Sequence, residues 1–326
     1  MKKFGFVSCL LALASVLGAA PALALEDVKT IIPRDSAFVL SYLAGKDAGI
    51  YQKHGIDLDV DVRPFGGFLA GLPAKQAMVG TYSGMDAVEK IEQGLDWVII
   101  GGGLTVMQEV YVRKDAPFKT ITELRGKTFG SFSTGAGSFK ATRGAILDAD
   151  RFDVLKDTNF QQISAPALFH LLQTGGVDAM FNISSLTVAA ASQPDKFRSI
   201  FSPDEYWRQK TGYPICWAAP IVAWRSWVTE NPARAAAFVA ATEESFRWLR
   251  DPEHLQAAVK KYGVLAGVTT AAEAATYEKW LQQKRFFLTE WDRKTIDAQW
   301  QFLELAKRQG ILNSVPSEQK YGLILK

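Results

Sequence analysis

Cysteine is almost missing from this chain of 326 residues: there are two, Cys9 and Cys216, and Cys9 sits in an N-terminal stretch that reads as a removable leader. The one remaining thiol can close no internal disulfide and cannot supply the multi-cysteine sets that hold structural zinc or iron–sulfur clusters. Histidine is equally sparse, with His54, His170 and His254 the full complement. None stands at a recognised catalytic or metal spacing from a Cys, Ser or carboxylate, so the sequence names no catalytic residue, no metal ligand and no cofactor. An excess of one charge is lacking too: 37 Lys and Arg against 34 Asp and Glu leave +3, which gives no basic footprint for a nucleic-acid partner. Nucleotide loops are absent as well. Gly101-Gly102-Gly103 does not make G-x-G-x-x-G, and Gly130 to Gly135 has phosphate-loop spacing without the Lys and Ser/Thr that must follow.

The N-terminus runs Met1-Lys2-Lys3, then apolar from Phe4 to Leu17, then Ala22-Leu23-Ala24 before the acidic Glu26-Asp27. This order is that of a secretory signal peptide cleaved after Ala24. The apolar run is short and broken by Ser15, Gly18 and Pro21, no later run approaches membrane-spanning length, and almost no apolar segment precedes Cys9 to make it a lipidation site. The expected product is exported, soluble and not lipidated, with enough chain for about two domains.

The most informative stretch is Gly126 to Leu147. Lys127 to Ser131 has the β-branched and aromatic residues of a short strand, Ser133 to Gly137 is turn chemistry, and apolar spacing resumes at Phe139, Ile146 and Leu147. The turn therefore sits at a helix N-terminus, where unpaired backbone N–H groups and a partial positive charge favour an oxyanion. Two readings stand: an anion receptor, or an ordinary turn whose Ser and Thr merely cap the helix. Strand, polar turn and helix also recur at Val28–Ile32 with Ser36, at 76–80 with Ser83, and at Gly175 to Ser185 with Asn182 and Ser184. Ser83 with Asp86 doubles as a plausible capping pair. Gly101 to Gly103 reads as a bend, Pro203 to Pro214 as an edge excursion, and Ala218 to Trp224 as a strand returning to the first domain. Helices then start at Asn231-Pro232, Asp251-Pro252 and Thr270 with Glu273, and a last one spans about Trp291 to Arg308.

Several motifs in this order carry a family likeness: Leu43 to Leu58, Ile121 to Gly130, Gly175-Gly176-Val177-Asp178-Ala179, and Thr229-Glu230-Asn231-Pro232 followed by helices. With the leader, they make the chain resemble the periplasmic binding proteins for nitrate, taurine, aliphatic sulfonates and related ligands. The resemblance implies an α/β chain with the two-lobed type II periplasmic-binding-protein fold, each lobe a mixed sheet flanked by helices, joined by two crossover strands. Residues 25–114 and 217–326 would form lobe 1 and 115–216 lobe 2, following a signal peptide at 1–24. It also implies a periplasmic monomer that hands a small-molecule ligand to an ABC importer, a membrane permease with its ATPase. The family's helix-terminus anion site falls on Ser133, Thr134, Gly135 and Ser138, and its first-lobe contacts on the turns of Ser36 and Ser83. Asn182 and Ser184 end a fourth strand, in keeping with ligands lying beyond the carboxyl ends of α/β strands. Phe38, Tyr82, Phe132, Phe181 and Trp217 lie near those ends as candidate apolar walls.

A different class shares the fold, since relatives include a pyrimidine-precursor synthase and menaquinone-pathway enzymes. The synthase's cysteine-rich iron motif is absent. No Arg lies inside the candidate turns, although Arg34 and Arg143 border them, and the aromatics favour an organic body: a sulfonate, an aromatic carboxylate or a neutral heterocycle.

Overall fold

A computed structural model describes residues 25–283 and 286–325, so the expected leader lies outside the described residues. Strand β1 (Glu26–Pro33) leads into α1 (Phe38–Asp47) and the short α2 (Ile50–Lys53). Gly55, at φ +76°, turns the chain into β2 (Ile56–Arg63), which lies parallel to β1. There follow α3 (Phe65–Gly71), β3 (Val79–Thr81), α4 (Gly84–Glu92) and β4 (Trp97–Leu104). The expected bend at Gly101 to Gly103 is instead the end of β4. Its glycines make room for neighbours, since Cβ atoms there would lie 2.8 Å from Ile221, 2.7 Å from Leu288 and 2.1 Å from the Ala219 carbonyl oxygen.

The second half of the fold starts with β5 (Val110–Arg113) and β6 (Thr128–Ser131), then α5 (Gly137–Asp150), β7 (Asn159–Gln162), α6 (Ala165–Thr174), β8 (Ala179–Phe181), α7 (Ser184–Ala191) and β9 (Phe197–Phe201). Its five strands run in the order β7-β6-β8-β5-β9, with β6, β7 and β8 mutually parallel and β5 antiparallel to its neighbours. The expected excursion at 203–214 contains a helix, α8 (Pro203–Thr211). Pro203 opens it and the Ser202 hydroxyl accepts the Glu205 N–H, a start signal present in the sequence, and Trp207 packs edge-on against Phe302.

Strand β10 (Ala219–Trp224) then inserts antiparallel between β3 and β4. It is followed by α9 (Arg225–Glu230), α10 (Pro232–Trp248), α11 (Pro252–Ala266), α12 (Ala271–Gln283), α13 (Arg293–Arg308) and α14 (Glu318–Tyr321). Thr270 and Glu273 exchange the hydrogen bonds of a capping box at the start of α12, whereas Asn231 spends its amide on the Trp227 carbonyl. The first-lobe core closes where α1 and α10 meet, with Phe38, Tyr42, Tyr51, Phe238 and Phe246 in mutual ring contact. Sheet membership bears on the lobe boundary: β5, which a division at 114/115 puts in lobe 1, pairs within the five-stranded sheet. We place the first crossing at 105–109 on that ground.

Candidate functional site

Four polar turns, the first crossing and the start of α3 converge on one cavity of about 110 Å³ between the sheets. The β1–α1 turn contributes Arg34, Asp35 and Ser36, with Phe38 at the start of α1; the β3–α4 turn contributes Ser83; the end of β4 contributes Leu104 and the crossing Gln108. From the other lobe come Phe132, Ala136, Gly137 and Ser138 before and within α5, and Ile183 and Ser184 at α7. Phe65 and Phe68 of α3 complete the wall with Ala218 and Ala219.

The serine hydroxyls have a shared polarity. Ser36 Oγ accepts the Phe38 N–H at 3.3 Å, Ser83 Oγ accepts the Gly137 N–H at 2.8 Å across the lobes, and Ser184 Oγ accepts from Gln108 Nε2 at 3.3 Å. All three side chains are buried. A hydroxyl that has accepted a bond keeps its own O–H to give, so each can donate into the cavity. Ser138 adds a fourth hydroxyl, and the N–H groups of Ser138 and Phe139 in the first turn of α5 have no partner within the helix. Donors from both lobes therefore surround the cavity, backed by the positive end of a helix fourteen residues long. Gln108, 6% exposed, has a carbonyl Oε1 with no partner.

The charged residues lining the cavity are Arg34 and Asp35, 3.6 Å apart and both well exposed at the rim. Arg143, which borders the site in the sequence, turns away and binds Asp153 through two bonds of 2.8 and 2.7 Å. Burial pushes the Asp153 carboxyl up, but the Arg143 guanidinium and the Leu155 N–H outweigh it and hold the group below its ordinary 3.8. This pair anchors α5. Arg143→Ala should cost about 2 kcal/mol in urea denaturation, short of a fully buried pair because Arg143 keeps some exposure. The folded-state pKa is depressed, so the contribution is present above the unfolded value and is lost as pH falls through the folded one. The gap between variant and wild type should accordingly shrink below about pH 4.

Of the residues singled out in the sequence, Ser36, Phe38, Ser83, Ser138 and Ser184 meet at the cavity, with Phe132 beside them. Ser133, Thr134 and Gly135 do not line it: Thr134 gives both its N–H and its hydroxyl to Gln162 Oε1, and Gly135 is exposed. The reason is the helix start at Gly137, which moves the ligand-facing part of the turn to 136–138. Asn182 is fully buried, with its Nδ2 on the Ala165 carbonyl and its Oδ1 on the Ile183 N–H. Tyr82 gives its hydroxyl to the Leu69 carbonyl, Trp217 its indole N–H to the Gln299 carbonyl, and Phe181 stacks behind Phe132. Ser83 makes no side-chain cap bond to its own helix; its oxygen serves the other lobe. Sequence reasoning missed Phe65, Phe68 and Gln108. The spaced pair in Phe65-Gly66-Gly67-Phe68 was a visible signal, whereas Gln108 lies in a crossing with no period to read.

Among the described residues no group of three or more His, Cys, Asp and Glu is placed to hold a metal, and Cys216 is buried away from the cavity. Comparison with known proteins adds the lineage. The family described as NMT1/THI5 like matches residues 38–254, about two thirds of the chain. The fold is similar to that of the periplasmic aliphatic sulphonate binding protein SsuA from Escherichia coli (TM-score 0.74, 15% identity, covering 93% of this chain and 94% of that one). It also resembles the alkanesulfonate-binding protein SsuA from Xanthomonas axonopodis pv. citri bound to MOPS (TM-score 0.66, 13% identity, 92% and 96% covered). An enzyme is similar too: the desulfurization enzyme DSZB, in a cysteine-to-serine mutant complexed with biphenyl-2-sulfinic acid (TM-score 0.62, 15% identity, 91% and 96% covered). No curated protein matches the chain significantly. With a two-lobed mixed α/β fold like that of SsuA and a family match over most of its length, the chain belongs to the NMT1/THI5-like family.

Proposed function

We propose that the protein is the periplasmic solute-binding component of an ABC importer, a monomer that closes around a small organic anion of sulfonate or carboxylate type and delivers it to the permease and its ATPase. The observation that carries this reading is the convergence of Ser36, Ser83 and Ser184, from both lobes, with their oxygens already accepting bonds and their O–H groups left to donate. Such an array suits a group with several acceptor oxygens and nothing to give. Phenylalanines at 38, 65, 68 and 132 suit an apolar body behind that group.

A thermal-shift panel of alkyl and aryl sulfonates with their carboxylate counterparts, followed by calorimetry, tests the proposal. One-to-one binding with the compound recovered unchanged is the expected result. Catalysis is the second reading because DSZB shares the fold, and multiple turnovers of a stabilising compound would establish it. Intact-mass measurement of exported protein should show a chain beginning at Leu25, and a full-length cytosolic product would remove the periplasmic part of the proposal.

A further inference from the structure

The first turn of α3 is unlike the rest of the cavity wall. Phe65-Gly66-Gly67-Phe68-Leu69-Ala70-Gly71 holds three glycines in seven helical residues, and each disfavours the helix about fivefold relative to alanine. Gly71 has a steric reason, since a Cβ there would lie 2.3 Å from the Ile31 Cδ1. Gly66 has open space where its Cβ would be, and the nearest atoms at Gly67 are Arg63 side-chain carbons at 3.6 Å, an ordinary contact. Neither residue has positive φ. Packing and backbone geometry thus require glycine at 71 and at neither 66 nor 67.

The anchoring is heavier at the later half. The later half of α3 is fixed by the Tyr82 hydroxyl on the Leu69 carbonyl at 2.9 Å and by the Phe68 ring against Tyr82. Just beyond it, the Trp224 indole N–H holds the Leu72 carbonyl at 3.0 Å. The first turn is held more lightly: one backbone bond from the Phe68 N–H to the Pro64 carbonyl closes it, and Phe65, 36% exposed, sets its ring 6.1 Å from Phe68 on one side and edge-on, also at 6.1 Å, to Phe132 of the other lobe. Both rings line the cavity.

We propose that this turn is a lid: Phe65 against Phe132 shuts the cavity, and unwinding at Gly66-Gly67 swings the ring aside so that ligand exchanges without full separation of the lobes. The proposal rests on the cavity being the binding site read above, and its test needs no ligand. Ser138→Cys in a Cys9→Ser background puts a thiol in the cavity at a helix N-terminus, where thiolate is favoured. The other thiol, Cys216, is fully buried and its pKa is pushed up by that burial.

The rate of modification by excess N-ethylmaleimide then reports opening. Gly66→Ala with Gly67→Ala should slow labelling by roughly tenfold or more, and Phe65→Ala should speed it several-fold. Amide hydrogen exchange over 65–68, measured without the introduced cysteine, should slow in the double alanine variant as well. Labelling and exchange rates indifferent to all three substitutions would overturn the lid and leave access to lobe motion alone. A protein that gives this rate series yet binds none of the sulfonates or carboxylates offered would keep the lid and sink the function proposed above.

Discussion

Gly137→Ala should lower affinity for a bound sulfonate or carboxylate by about 100-fold or more while leaving the melting temperature of the free protein nearly unchanged. Gly137 starts α5 in one lobe, but the space beside it is filled by the other: an added Cβ would lie 2.7 Å from Ser83 Oγ, 2.8 Å from the Trp217 carbonyl oxygen and 2.9 Å from the Gly84 nitrogen. Two of these three atoms are backbone and cannot rotate away. Overpacking of this kind costs typically 1–3 kcal/mol and sometimes more, and here the strain is relieved by opening rather than by unfolding. The penalty therefore falls on the closed state and on binding, which depends on that state. Calorimetry gives the affinity and small-angle scattering the shape, with an increased radius of gyration expected in the variant. Wild-type affinity together with wild-type compactness would mean that this closed arrangement is not the one that holds the ligand.

Gln108→Glu should cost at least as much, through charge instead of volume. Gln108 lines the cavity beside Ser184 and is almost wholly buried. A carboxylate there would face an anionic ligand in an enclosed space, and two like charges about 4 Å apart at an effective dielectric near 20 repel by roughly 4 kcal/mol. The repulsion has a pH signature. Burial and the neighbouring anion both raise the new carboxyl's pKa, so affinity should recover as pH is lowered and the group takes up a proton. Equal binding by variant and wild type at pH 8, in calorimetry with the same ligand, would remove the anion from this side of the cavity. Gln108→Leu, which adds no charge, should lose much less.

These two residues also mark how far the sequence could be read. The strand–turn–helix order was legible because β-branched runs, polar turns and apolar helix spacing are local signals, and Ser36, Ser83, Ser138 and Ser184 could be picked out as strand-end hydroxyls. What Ser83 does was not legible: Ser83 with Asp86 has the spacing of a cap, and only the approach of Gly137 from a distant part of the chain diverts its oxygen across the lobes. Thr134 shows the same limit in reverse. Its hydroxyl is in the right turn, but Gln162 on the neighbouring strand β7 takes it, a pairing set by sheet order. The glycines at 101–103 looked like a bend because the sequence does not say what packs against them. Gln108 sits where no period exists, so its place in the site follows from the crossing geometry alone.

Strand β10 has a consequence for how the molecule assembles. It lies between β3 and β4, so Val79 to Thr81 find their partners at Ile221 to Ala223, on the far side of the entire second lobe in chain order. The five-stranded sheet is built from one continuous stretch, 110–201, and its contacts close short loops. Closing long loops before any contact rewards them slows folding, so the contiguous lobe has the kinetic advantage. During that interval β3 and β4 stand with open edges, the feature that invites mispairing with other chains. The three-stranded sheet of lobe 1 is therefore the last to close, since β3 and β4 meet only through β10 and wait for residues 219–224 to be made.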